Sequence, residues 1–167
     1  MELLAEAFPA STYEGYDVSE RAIEAAKQRF AGSDNVTVYL AGGEEVPPTG
    51  DVDLMLTLDC LHDMPRPDLA MAAIRRAVAD DGTWLVKEIR SAAEWGPNLR
   101  NPMLAMMYAT SVASCMASAM STPDGLGLGT MGLDPSTLEA MVAEAGFSRF
   151  TLHEVEDPTN LYYEVRP

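Results

Sequence analysis

Basic residues are scarce in this sequence: 11 Lys and Arg stand against 26 Asp and Glu among 167 residues, a formal charge of −15. Nucleic-acid backbones and anionic membrane surfaces are held by clustered Lys and Arg, so this balance argues against both as partners. Cysteine is nearly absent too. Cys60 and Cys115 lie far apart, in no paired metal or redox spacing, so no disulfide framework is expected and both read as reduced core thiols of a cytoplasmic protein. Only two histidines, His62 and His153, are available for acid–base work near neutral pH. Residues 101–123 carry no charge, but Asn101, Thr110, Ser111, Ser114, Ser118, Ser121 and Thr122 interrupt them, which argues against a membrane span. The first residues, MELLAEAFPAS, lack a basic segment and carry Glu2 and Glu6, so they read as the end of a helix and not as a secretory signal.

What is present is enough apolar material, 47% of residues, for one domain with a sizeable core, taken as 1–167. Its organising stretch is Tyr13 to Phe30. A short apolar run ends in Asp17, and Ser19 then starts a helix with Ile23, Ala26 and Phe30 on one face. In parallel α/β sheets ligands bind outside the carboxyl ends of the strands, and an acid at a strand end is placed to take two ribose hydroxyls. Asp17 is the first candidate for such a contact; the alternative is that it only caps the helix it precedes.

Further along, Asn35 to Leu40 and Asp51 to Leu58 are strand-like, the second apolar enough to be covered on both faces. A loop rich in Gly and Pro, Ala41 to Pro48, separates them. Pro65 and Pro67 open a helix reaching about Val78, Asp80-Asp81-Gly82 reads as a turn, and Thr83 to Ile89 as a fourth strand. This alternation predicts βαβ units in a mostly parallel sheet. Asn101-Pro102 reads as a helix cap followed by a methionine series, Met103, Met106, Met107, Met116 and Met120, which suits core filling or an adaptable pocket. Gly125 to Leu133 has no phosphate-binding Lys and reads as a mobile loop. Asp134-Pro135 caps a helix that Gly146 ends, and Phe147–Glu154 with Asn160–Val165 form an antiparallel hairpin.

GYDVSERAIEAA, NVTVYLAGGEEVP, DVDLMLTLDCLHDM, ADDGTWLVKEI and the closing GLDPSTLEAMVAEAGF with its hairpin, in this order, resemble a class I S-adenosylmethionine (SAM) dependent methyltransferase of the subgroup with an N-terminal winged-helix domain. The resemblance implies a Rossmann-like α/β sheet with an antiparallel C-terminal hairpin. It departs from the family at the start. The glycine loop of a dinucleotide-type fingerprint lies about 20 residues before the ribose acid, and only 16 residues precede Asp17. The family's first strand and its glycine-rich loop are therefore expected to be missing, leaving two unpaired sheet edges.

The resemblance places Asp17 on the ribose of SAM and Val18 near the adenine. The adenine-contacting acid of the family falls at Gly42, beside Gly43, with Glu44 as a substitute. Asp59 and Cys60 fall beside the methyl-transfer centre. His62 is the candidate general base; a histidine merely paired with Asp63 or Asp59 is the alternative. Asp59 and His62 offer only two ligands, so no metal site is expected. Trp95, Met107 and Tyr108 are candidates for an apolar pocket for the acceptor, a small molecule or a protein side chain. Two rival readings are a non-catalytic association module, self-associating through the 101–121 helix, and an NAD-dependent dehydrogenase fragment.

Overall fold

In the computed structural model, which describes all 167 residues, the expected strand, turn and helix form where the sequence places them. Helix α1 (Glu2–Ala7) precedes β1 (Tyr13–Asp17) and α2 (Glu20–Arg29). The Ser19 side chain accepts a hydrogen bond from the Ala22 amide, satisfying one of the amides that a helix start leaves without a partner. Strand β2 (Val36–Leu40) runs parallel to β1, register Tyr13 to Val36 through Asp17 to Leu40.

The remainder of the chain, from Val52 on, builds a separate four-stranded sheet from β3 (Val52–Leu58), β4 (Val78–Ile89), β5 (Arg149–His153) and β6 (Asn160–Arg166), in the order β3-β4-β6-β5. β3 and β4 are parallel; β6 pairs antiparallel with both β4 and β5. The expectation of a mostly parallel sheet is thus corrected: two strand pairs are parallel and two antiparallel, because the closing hairpin inserts its second strand beside β4. β1 hydrogen-bonds only to β2, and β3 only to β4.

Helix α3 (Pro67–Ala77) stops one residue before the expected end, since Val78 already has extended backbone and is tied to the core. Asp80-Asp81-Gly82 is not a turn. It forms a bulge at which the register jumps from Val52–Val78 to Leu54–Thr83, putting the two carboxylates in water. A Cβ at Gly82 would lie 2.7 Å from the Val52 carbonyl oxygen, so the bulge needs glycine there. Nor is β3 covered on both faces: Leu54 and Leu58, on one face of the strand, are half exposed, and no strand pairs on its edge away from β4.

The main core lies where α3 and α7 (Pro135–Glu144) pack on the four-stranded sheet, around Leu61, Met71, Trp84, Leu138, Tyr163 and Val165. Trp84 satisfies its indole N–H at 3.0 Å on the Thr57 hydroxyl and packs its ring 5.3 Å from Phe147. Between β4 and α7 lie α4 (Trp95–Asn98), α5 (Leu104–Thr110), a one-turn π-helical segment (Ser111–Cys115) and α6 (Met116–Ala119). The expected cap at Asn101 shifts by two residues: the Asn101 side chain accepts from the Met103 amide, and the helix begins at Leu104. Of the methionine series only Met107 is buried, while Met103, Met106 and Met120 are exposed, so the series is not core filler.

Asp134 caps α7 with hydrogen bonds from the Ser136 and Thr137 amides and hydroxyls. Burial pushes its carboxyl up, but the bonds from Ser136 and Thr137 outweigh that and hold it below the usual carboxylate range. A depressed folded-state value stabilises the protein above the unfolded value near pH ~4 and is lost as the pH falls through the folded value. Asp134→Ala should lower stability by about 1 kcal/mol at pH 7, and urea unfolding of both proteins should show that gap closing as the pH is lowered toward 3.

Candidate active site

The carboxyl end of β3 turns through a residue that carries its own strain. Asp59 has φ +53°, a left-handed conformation that a non-glycine residue adopts at a cost. Its amide donates to the Lys87 carbonyl at 2.8 Å, and its carboxylate takes the Lys87 ammonium and the Asn160 amide. The Asp59 side chain is therefore engaged by β4 and β6. Next to it Cys60 is half buried, and burial, then the nearby Glu88 carboxylate, push its thiol up to about 11. That keeps it protonated at neutral pH and unsuited to nucleophilic attack.

A single 3-10 turn, Leu61–Asp63, follows, and Glu88 on β4 fixes it. One oxygen of this fully buried carboxylate accepts from the Leu61 amide at 2.9 Å; the other lies 2.6 Å from His62 Nδ1. His62 Nε2 is 3.4 Å from Asp63 Oδ1. Burial pulls the imidazole down, but hydrogen bonding to Glu88 and the charges of Glu88, Asp63 and Asp59 outweigh it, so the net shift is upward. The sequence had pointed to Asp63 or Asp59 as the partner of His62. The close partner is Glu88, 26 positions away.

Two further segments close over this turn. Gly129 donates its amide to the His62 carbonyl at 3.2 Å, and Leu126 donates to the Pro65 carbonyl at 2.9 Å. The loop from Gly125 is thus pinned by its backbone, which corrects the expectation of a mobile segment. Gly129 has φ +64°, and a Cβ there would meet Met116 Sδ at 2.6 Å and Ser111 Oγ at 2.7 Å, so only glycine fits. The Thr130 amide donates to the Ser111 hydroxyl at 3.1 Å, which ties the loop to the π-helical segment. That segment ends in Cys115, a buried thiol pushed up chiefly by burial, with the Asp63 carboxylate acting in the same direction and Thr130 opposing. Cys115 is thus more than a lone core thiol; it belongs to this cluster.

The other predicted residues fall at three separate places. Asp17 stands exposed at the end of β1, where one carboxylate oxygen accepts from the Ser19 amide at 2.7 Å; Val18 beside it is 77% exposed. Gly42 and Gly43 start a short 3-10 turn in which the Gly42 amide donates to Glu45 at 2.8 Å, with the exposed Glu44 folded back over Gly42. Trp95 and Tyr108 meet at a ring-centroid distance of 5.5 Å, both partly open to solvent, while Met107 is buried, its sulfur 3.4 Å from the Asn101 side-chain amide. His153 lies apart, 3.1 Å from Glu164 on the hairpin.

Sequence reasoning passed over Glu88, Asp63 as a cluster member, and Cys115. A signal for Glu88 was there: Lys87 and Glu88 stand in an otherwise apolar strand, TWLVKEI, and a charge inside a covered strand needs a partner. Glu88→Ala would leave the Leu61 amide and His62 without their acceptor, and should cost about 3 kcal/mol or more in urea unfolding. Glu88→Gln, which keeps an acceptor of the same shape, should cost less.

No curated protein matches the sequence. Solved structures do match in fold. A candidate O-methyltransferase from Nostoc punctiforme is 21% identical, covered over 97% of this chain and 46% of its own, with a TM-score of 0.70. PigF with SAH is 17% identical, covered over 99% and 46%, TM-score 0.68. Human N-acetylserotonin methyltransferase in complex with SAM is 16% identical, covered over 99% and 43%, TM-score 0.62. The chain thus spans about half the length of the solved structures it matches. Residues 1–146 match the model of a family described as a methyltransferase domain, so the chain belongs to the methyltransferase-domain family.

Proposed function

We propose that this chain is the cofactor-binding and catalytic part of a class I SAM-dependent methyltransferase acting on a small-molecule or protein-side-chain acceptor in the cytoplasm. The observation that carries the proposal is Asp17: an exposed carboxylate at the carboxyl end of a parallel strand, with one oxygen engaged by Ser19 and the other without a partner, inside a segment that matches the methyltransferase family. The relatives crystallised with SAH and with SAM support the same cofactor. They also favour this reading over the dehydrogenase alternative.

The residues present fit the cofactor. Asp17 would accept from the ribose hydroxyls, and Val18, 77% exposed, offers apolar surface to the adenine. Gly42, Gly43 and Glu44 would border the far side of the base, and Asp59 with Cys60 the reacting end. SAM supplies a methyl group on a sulfonium, a leaving group already activated, so the protein has mainly to align the acceptor. His62 is suited to receive the acceptor's proton, since Glu88 at Nδ1 stabilises the imidazolium that results. Trp95 and Tyr108 would hold an apolar acceptor, with the buried Met107, beside Asn101, as the third candidate contact.

The half-length coverage of the matched structures, and the single-sided pairing of β1 and β3, support a longer assembly. In it a glycine-rich strand between β1 and β3, and a winged-helix domain, come from the same polypeptide or another subunit. A second reading, self-association through residues 101–121, rests on exposed apolar side chains there: Met106, Val112 at 76% and Met120. No helix of the protein is long and apolar enough to cross a membrane.

Isothermal titration of this chain with S-adenosylhomocysteine should give saturable binding, which Asp17→Ala weakens at least tenfold. No heat from folded protein would count against a cofactor site in this chain by itself. Tyr108→Ala should raise the KM for the acceptor severalfold while leaving the affinity for S-adenosylhomocysteine unchanged; equal loss of both would remove the acceptor role. Val112→Lys should abolish self-association in sedimentation velocity under the second reading and change nothing under the first.

A further inference from the structure

We propose that His62, Asp63 and Cys115 form a binding site for a thiophilic divalent cation such as Zn2+, with Glu88 as the residue that orients the histidine; a cation at Nε2 takes the lone pair that the base role of His62 needs, so the loaded site is an alternative to that role. Ligand atoms of His62, Asp63 and Cys115, one from each, lie within 4.8 Å of one another. Zinc bound at its usual distances of about 2.0–2.3 Å to N, O and S, in tetrahedral geometry, holds its donor atoms about 3.3–3.8 Å apart. The separation of His62 Nε2 and Asp63 Oδ1, 3.4 Å, falls in that interval.

That separation is longer than a direct imidazolium–carboxylate hydrogen bond. Glu88 faces Nδ1 at 2.6 Å, so that nitrogen carries a proton, and in the neutral ring Nε2 presents its lone pair to a carboxylate oxygen. A hydrogen bond between imidazolium and carboxylate draws to about 2.7–2.9 Å; here Asp63 Oδ1 is buried with only the Cys115 thiol to engage it besides the more distant imidazole. Thr130 Oγ1, in the loop that closes over the turn, is a second buried oxygen, and it too faces the Cys115 sulfur. The charged groups acting on His62 are Glu88, Asp63 and Asp59, all acids, so the site favours a cation.

The carboxylate–histidine arrangement is one that orients metal-bound imidazoles elsewhere: the ring nitrogen that does not bind metal donates to a carboxylate. Three protein ligands leave a fourth position for water or another donor, and the Asp63 side chain, 39% exposed, gives a route from solvent while His62 and Cys115 are buried. The sequence paired His62 with Asp59 as donors; the fold instead groups it with Asp63 and with Cys115, from a segment 52 residues beyond Asp63.

The test is titration of the full 167-residue chain with Co2+, without SAM, followed by displacement with Zn2+. The expected result is uptake of one Co2+ per chain, with a thiolate-to-cobalt charge-transfer band and the intense visible bands of a tetrahedral site. Cys115→Ser should remove the charge-transfer band and weaken binding at least tenfold, and Cys60→Ser should leave both intact. Asp63→Asn should keep the charge-transfer band but weaken binding at least tenfold, which provides a second test if Cys115→Ser fails to fold. Folded protein that takes up no Co2+, a charge-transfer band lost with Cys60 and kept without Cys115, or binding unchanged in Asp63→Asn would each overturn the proposal.

Discussion

The buried carboxylate of Glu88 is the contact on which the site depends. It sits in the interior of β4 at 1% exposure, a position that would be strongly unfavourable without compensation. The Leu61 amide and the His62 imidazole provide that compensation, and in doing so fix the turn at the end of β3. The rest follows in sequence. The His62 carbonyl accepts from Gly129 and so seats the glycine-rich loop; the loop's Thr130 amide donates to Ser111; and Ser111 opens the π-helical turn that delivers Cys115. A π-helical turn is a costly local geometry, recurrent at functional sites, and here it is held by hydrogen bonds to a loop that itself rests on the turn below.

Asp59 shows a different use of charge. Its left-handed backbone is held in place by Lys87 from β4 and Asn160 from β6, so the strain at the strand end is fixed from two strands. The same ties occupy the carboxylate. Asp59 therefore shapes the floor of the site, whereas Asp17, with an oxygen still free at the end of β1, remains available to a ligand.

Local rules made much of the fold legible. Ser19 and Asp134 cap their helices as their side-chain chemistry requires, Gly146 with φ +96° follows the end of α7, and a six-residue link between β5 and β6 permits only an antiparallel pair. Features set by distant partners were not legible. The Asp80-Asp81-Gly82 bulge exists because Val78 is already paired with Val52, and the closest partner of His62 comes from another strand. At Cys115 the sequence suggested a plain core thiol, and only the convergence of three segments gives it polar neighbours. Of the candidate residues, Trp95 and Tyr108 do meet, but Asp17, the 42–44 loop and His62 stand on separate elements whose juxtaposition no spacing encodes.

Burial is divided unevenly between the two sheets, and this bears on how the site would work. Among residues 1–45, Ile23 is the only buried apolar side chain, while the main core belongs wholly to the four-stranded sheet and the helices on it. The unit formed by β1, α2 and β2 therefore has little apolar contact to resist local opening, and Leu40, Leu54 and Leu58 remain half exposed. Asp17 lies on this weakly anchored unit, His62 on the strongly anchored one. Any ligand that touched both would stabilise their docked arrangement by RT ln(1 + L/Kd) at free concentration L, rising with the logarithm of L once that exceeds Kd. Ordering the first unit would draw on the ligand's own binding energy, so affinity at Asp17 would be set as much by the burial around β1 and β3 as by the carboxylate itself.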